Sequence, residues 1–323
     1  MSLHLTPDLS QPVLLVRLAV LLTGLAVTAI ATAADDQPAK SIGRIFVRGL
    51  YIGAAPGAKP EGIVSLDPET GQVEATYPIS TPGEPSPDGR RIVYVRSGGN
   101  LARDQVGIWV YEAGGEAPGR RIFDQPGEPS AWTDQGRSVI VVVNVKDDQW
   151  ETWRVAADGT KQVKLPVPQN LVVLDAGPDG SWLAAREVGD TGHWGRLTLI
   201  HPDGTGAHHL TEGSPRRDIF AIPRFSPDGR EIAVSEVQTI DGVRTSRLYL
   251  MDLDGKHRRE LPVKLDRGAT AVPVWSPDGS RLAIGLIARQ TSAIVVIDRS
   301  GKDMRTLPLP PRDWFFTLCG WSR

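Results

Sequence analysis

The chain has one cysteine, Cys319, in 323 residues. No intrachain disulfide can form, and no thiolate cage for a metal can be assembled. Among partly apolar neighbours, Cys319 is expected to be a buried, inert thiol and not a nucleophile. An excess of one charge is also missing. Thirty-six Lys and Arg stand against 38 Asp and Glu, a formal net charge of −2. Nucleic-acid binding needs a basic face, and none is present. Helical periodicity is absent too: after the first forty residues, no 3.6-residue apolar stripe persists for two turns. Histidine is scarce. Those beyond the N-terminal segment are His193, His201, His208, His209 and His257. His208 and His209 are adjacent on one extended segment and so point to opposite faces. No pair has the spacing of a metal clamp, so neither a metal nor a cofactor is expected.

Glycine and proline are plentiful, at 34 and 26 residues. Together they make up about 19% of the chain, against roughly 12% in average proteins and ~25–30% in low-complexity chains. That excess suits a folded protein with many turns. Leu18 to Ala31 is almost wholly apolar, Arg17 precedes it, and Ala31-Thr32-Ala33 closes it with small residues. This is the pattern of a secretory signal peptide over 1–33, with 34–42 as a linker. An uncleaved anchor beginning near Val13 is the alternative. The mature chain is expected to be periplasmic or secreted, without a membrane span.

Beyond the leader, one pattern recurs. Phe225-Ser226-Pro227-Asp228-Gly229 is followed by an alternating apolar strand, and Trp275-Ser276-Pro277-Asp278-Gly279 repeats it. Weaker copies start near Pro85, Trp132 and Ala176, and Trp321-Ser322 begins another. Measured on Ser86, Thr133, Gly177, Ser226, Ser276 and Ser322, the interval is 44–50 residues. A strand-bearing period of that length signals a propeller. Proline presets φ at the first turn position, aspartate caps its own backbone, and glycine takes the left-handed corner. A second turn follows in each unit, as at Asp158-Gly159, Asp203-Gly204 and Asp254-Gly255. One unit is therefore four strands, A to D.

The two ends complete each other. Residues 43–79 supply strands B, C and D without an A; residues 315–322 form an A strand with nothing after it. Joined, they give a sixth blade and leave no open sheet edge. The expectation is an all-β fold: a six-bladed β-propeller of four-stranded antiparallel blades over 43–323, closed by pairing of its N- and C-terminal segments. The aromatics Trp132, Phe225, Trp275 and Trp321 are expected to pack between neighbouring blades.

These repeats, with Tyr249-Leu-Met-Asp-Leu-Asp254-Gly255 after the second Ser-Pro-Asp-Gly strand, resemble the WD-repeat-like propeller repeats of the periplasmic TolB family. The resemblance spans about 43–323 and implies six blades. TolB-like proteins carry an α/β domain before the propeller, for which the sequence leaves no room, so a role in a Tol-type complex is not carried over. Similar repeats precede the catalytic domains of prolyl-oligopeptidase-like enzymes, but no Gly-x-Ser-x-Gly occurs here.

The D-to-A connections carry the candidate site. Arg217-Asp218, Asp266-Arg267 and Arg312-Asp313 precede an A strand at similar distances, and Trp314 follows the last. Arginine and tryptophan are common anchors of interfaces. The segments 96–106, 189–195 and 237–246, taken as B–C loops, share that face. The expected function is non-enzymatic: an exported, monomeric scaffold gripping a protein or peptide at the channel mouth. The alternative is a propeller enzyme, such as a polysaccharide lyase or hydrolase with a metal in the channel.

Overall fold

The computed structural model describes residues 43–51, 62–97, 101–189, 195–213, 219–240, 242–263, 269–287, 292–308 and 314–323. They form six four-stranded antiparallel sheets. The first joins β1 (Arg44–Tyr51), β2 (Gly62–Leu66) and β3 (Val73–Tyr77) to the last strand of the chain, β24 (Trp314–Ser322). The second holds β4 (Gly83–Pro85), β5 (Arg91–Arg96), β6 (Gly107–Glu112) and β7 (Arg120–Phe123). The third holds β8 (Glu128–Thr133), β9 (Ser138–Lys146), β10 (Gln149–Ala156) and β11 (Gln162–Leu165). The fourth holds β12 (Leu171–Ala176), β13 (Leu183–Glu187), β14 (Leu197–Ile200) and β15 (His208–His209). The fifth holds β16 (Ile219–Phe225), β17 (Glu231–Ile240), β18 (Val243–Asp252) and β19 (Arg259–Glu260). The sixth holds β20 (Thr270–Trp275), β21 (Arg281–Ile287), β22 (Ser292–Asp298) and β23 (Met304–Thr306). The A strands β24, β4, β8, β12, β16 and β20 neighbour one another in turn, and β20 returns to β24. The six sheets are the blades of a closed propeller.

The Ser-Pro-Asp-Gly turn is a small hydrogen-bonded unit that lets a hydroxyl be buried at no loss of partners. Ser226 is fully buried; its Oγ donates to Asp228 Oδ1 at 2.6 Å and accepts the Glu231 N–H at 3.0 Å. The Gly229 N–H closes the turn on the Ser226 carbonyl at 2.8 Å. Ser276 and Ser86 repeat the arrangement with Asp278 and Asp88. Burial opposes ionisation of these aspartates, but the serine hydroxyl and backbone N–H bonds outweigh it and hold their pKa below the usual range. Where the serine is replaced, the turn changes. After Thr133, Asp134 and Gln135 both adopt positive φ (52° and 58°). After Gly177, Asp179 instead binds the N–H and hydroxyl of Ser181.

The residue before each turn is a wedge against the preceding blade. Trp132 packs with Val93 and Ile108, Phe225 with Leu197 and Leu199, Trp275 with Ala233 and Leu248, and Trp321 with Val274 and Ala283. All four aromatics are less than a tenth exposed. Burying one removes ~150–250 Å² from water, worth roughly 4–6 kcal/mol before entropy is counted. Two indoles are also pinned: Trp132 Nε1 donates to the Glu84 carbonyl at 2.9 Å, and Trp275 Nε1 to the Arg224 carbonyl at 3.0 Å. Phenylalanine has no ring N–H. At that joint the Asp175 carboxylate accepts the Phe225 backbone N–H at 2.6 Å.

Closure follows the expected route. β1 pairs with β24 from Arg44↔Ser322 to Tyr51↔Trp314, with a bulge at Phe46/Val47. Gly43 opens β1 at φ +88°, and a Cβ there would lie 2.2 Å from the Ser322 carbonyl oxygen. Only glycine fits so close an approach. Gly320 has the same role on the next joint, where a Cβ would meet the Pro85 ring at 2.7 Å. Farther out, Glu69 of the first blade pairs with Arg281 (2.6 Å) and Arg305 (2.5 Å) of the sixth. Such partly exposed pairs add only ~0–1 kcal/mol each.

One expectation is corrected. Residues 237–246 are not an open loop: β17 and β18 continue their pairing out to Ile240↔Val243. The alternation of Val237, Thr239 and Val243 carries the ladder to the tip, and Gly242 takes positive φ in the turn.

Deleting residues 313–323 removes a whole inner strand and the Trp321 wedge. The expected outcome is a large fall in the melting temperature of the entire ring, measured by circular dichroism. Loss of one such aromatic alone costs ~3–5 kcal/mol. Unchanged melting would contradict the closure.

Candidate functional site at the turn mouth of the channel

The inner strands approach the axis side by side, and the residue before each wedge occupies an equivalent place in every blade: Glu84, Ala131, Asp175, Arg224, Val274 and Gly320. Five of the six, all but Ala131, line a cavity of about 540 Å³. All six blades contribute to its wall, so it lies on the propeller axis. Its remaining lining consists of wedge residues and first-turn residues, including Pro87, Pro178, Pro227 and Pro277. The cavity is therefore at the A–B turn mouth, and its size is that of ordinary ligand pockets.

Three of the ring residues are polar. Arg224 is half-buried; its Nη1 donates to the carbonyls of Pro223 (2.9 Å) and Leu174 (3.4 Å). Asp175 is buried and anchored through Phe225. Burial pushes its pKa up to about 6, against the opposing pull of Arg224 and the N–H groups of Phe225 and Ala176. Glu84 is half-buried, reachable from the cavity yet enclosed by protein on its other sides. Burial raises its pKa to about 8; Arg224 works against the rise and Asp175 adds to it. At neutral pH the ring thus carries a guanidinium, an ionised aspartate and a largely neutral glutamic acid.

The residues singled out from sequence fall elsewhere. Arg217, Asp218, Asp266, Arg267, Arg312 and Asp313 lie outside the described residues, as do His193 and Trp194. Trp314 begins β24 opposite Tyr51, at the far end of that strand from Trp321. Trp314 therefore stands at the other end of β24 from the cavity. The sequence does carry a signal for the cavity residues. Glu84, Asp175 and Arg224 share one repeat position, directly before the wedge, in strands that otherwise turn apolar residues inward.

The described histidines lie away from the axis. His201 stacks on Trp182 with ring centroids 3.7 Å apart, and His208 meets the same indole edge-on at 5.2 Å. His209 bonds to Thr198, and His257 to Asp252. Among the described residues, no three His, Cys, Asp or Glu side chains are grouped as a metal would require. Cys319 packs beside the cluster of Phe46, Tyr77 and Tyr94, and burial pushes its thiol up to about 12. It is protonated and unreactive at neutral pH. No helix among the described residues is long and apolar enough to cross a membrane.

The fold defines the protein as a six-bladed β-propeller, an architecture it shares with solved TolB structures. It is similar to the putative TolB from Agrobacterium tumefaciens, at 13% identity and a TM-score of 0.56, over 86% of this chain and 91% of that one. It is also similar to TolB from Acinetobacter baumannii, at 17% identity and a TM-score of 0.62, over 88% and 68%. An oligogalacturonate lyase in complex with manganese matches at 15% identity and a TM-score of 0.50, over 76% and 70%. At such identities the likeness is one of fold. No protein-family model and no curated protein matches the sequence.

The raised Glu84 pKa makes stability depend on pH. The folded protein keeps this proton to about pH 8, whereas the unfolded chain releases it near 4.5. Stability contributed by the neutral carboxyl is present below the unfolded value and is lost as pH rises through the folded one. Glu84→Gln is therefore expected to melt like the wild type at pH 5 and to melt higher at pH 9. A gain of 1 kcal/mol corresponds to about 2–4 °C in a domain of this size. An equal difference at both pH values would remove the ionisation from the account.

Proposed function

We propose that the protein is an exported, non-enzymatic scaffold that binds a protein or peptide through the mouths of its propeller channel. The observation that carries this reading is the channel wall at the turn mouth: one arginine and two carboxyls set among tryptophan, phenylalanine and proline. Those residue types dominate recognition surfaces. The charged couples Arg217-Asp218, Asp266-Arg267 and Arg312-Asp313, with Trp314, extend the reading to the opposite mouth. There, connections between rigid strands are free to vary with the partner. The apolar leader over 1–33 supports export, after which residues 43–323 act as a monomeric ring of TolB-like, WD-repeat-like units.

A second reading has an observation of its own. Two carboxyls of unequal and raised pKa, at about 8 and about 6, share a cavity with an arginine. Such pairs are common at acid–base catalytic sites. A manganese-bound lyase shares the fold. Under this reading the protein would release unsaturated products from an oligogalacturonate, and Glu84→Gln would abolish them.

Affinity capture from an envelope extract tests the binding reading. The wild-type ring is expected to recover a partner that the Arg312→Glu/Trp314→Ala variant loses. Recovery of the same partners by that variant would remove the D–A mouth from the proposal. Turnover of oligogalacturonate by the wild type would favour the enzyme.

A further inference from the structure

We propose that the turn-mouth cavity is a carboxylate-binding site, in which Arg224 grips the ligand's carboxylate and the tryptophan and proline rim packs its apolar body. The inference does not depend on the charged couples discussed above or on a partner bound to them.

The argument begins with the donors of Arg224. A guanidinium carries five N–H groups in a rigid fork. Only Nη1 has acceptors among the described residues, the Pro223 and Leu174 carbonyls. Both belong to the strand wall, so they fix the plane of the fork and, among the described residues, leave Nε and Nη2 without a hydrogen bond. No carboxylate pairs with Arg224 among the described residues, although two stand on the same ring. Each has a structural reason. Asp175 is 6% exposed, and its Oδ2 is taken at 2.6 Å by the Phe225 N–H, the joint that replaces an indole bond. It lines the cavity wall with that oxygen committed to the joint, and its charge acts on Arg224 without a direct ion pair among the described residues. The Glu84 side chain makes no hydrogen bond among the described residues, and its burial keeps it protonated at neutral pH. A neutral carboxyl donates a hydrogen bond and does not compete for the guanidinium.

The deepest level of the cavity therefore presents donors: a half-empty guanidinium and one carboxyl O–H. A ligand that fits is an acceptor with two oxygens in a plane, and the arginine fork matches a carboxylate at two points. A phosphate would bring a second negative charge beside Asp175, and an ammonium would meet Arg224. Above this level, Trp132, Trp275 and Trp321 line the wall, with Pro178 and Pro227 above them. That rim suits an aromatic or aliphatic body of modest size. A carboxylate with such a body occurs both as a free organic acid and as the end of a peptide chain.

Isothermal titration of the full-length protein tests the inference with defined probes. N-acetyl-L-phenylalanine is expected to bind at least about tenfold more tightly than its amide, a difference of 1.4 kcal/mol or more. Phenethylamine is expected not to bind. Arg224→Met should abolish binding of the acid, and Arg224→Lys should weaken it about tenfold, since an ammonium cannot fork. An octapeptide ending in phenylalanine, free or amidated, separates the sources. Binding of the free-ended peptide as tight as the small acid assigns a chain terminus, and binding of the small acid alone assigns a free solute. Circular dichroism checks each variant; if Arg224→Met fails to fold, the acid-versus-amide contrast on the wild type decides. The inference is overturned by equal affinity for acid and amide, by preference for the amine with loss in Glu84→Gln, by an Arg224→Met protein that binds like the wild type, or by failure of every probe to bind the wild type at millimolar concentration.

Discussion

Each blade is fastened to the one before it by a single residue at the entrance of its first turn. The joint has two parts, an apolar one in the buried wedge and a polar one in its hydrogen bond across the gap. Trp132 and Trp275 combine both, binding the carbonyls of Glu84 and Arg224. Behind Phe225 and Trp275 the buried Ser-Pro-Asp-Gly unit fixes the wedge's direction, because the serine hydroxyl is tied to the aspartate and to the strand that follows. Six joints in a circle need the last to meet the first. The β1–β24 ladder does this, helped by a glycine where any side chain would strike the Ser322 carbonyl. Sheet edges are thereby paired at the one place where a linear chain would leave them open.

The same joints build the cavity. The backbone carbonyls that receive the Trp132 and Trp275 indoles belong to Glu84 and Arg224, each just before the neighbouring wedge, and both residues line the cavity. Fold and site are thus read from adjacent positions of one repeat. Glu84 and Arg224 support their joints through backbone atoms, so substitutions there are expected to change the chemistry of the channel and leave the joints in place. Asp175 is the exception, since its carboxylate is itself the fastening to blade five.

Much of this was legible in the residues. The 44–50-residue spacing, the two turn signals per unit and the complementary ends specify six blades and their closure, because turn chemistry and strand alternation are local properties. The wedges were legible as well, since an aromatic before a buried turn has few other places to go. The cavity was not. Recognising it requires knowing that Glu84, Asp175 and Arg224, at one repeat position of three different blades, are brought to one cavity, a consequence of ring geometry that no single repeat contains. The raised pKa values of Glu84 and Asp175 come from protein packed around them by blades far apart in sequence. Residues 237–246 have the polar composition of a loop in Gln238, Thr239 and Arg244, while the β17–β18 register fixes them as strand.

The central claim is that the two ends of the chain share one sheet and that the ring unfolds only when that sheet opens. Amide hydrogen exchange measures this directly. The backbone N–H groups of residues 45–48 and 317–321 should exchange as slowly as those in the middle of β17 and β21, at the rate set by global unfolding. Fast exchange in the paired ends, with β17 and β21 still protected, would mean that the propeller stands without its composite blade, and the account of its closure would be wrong.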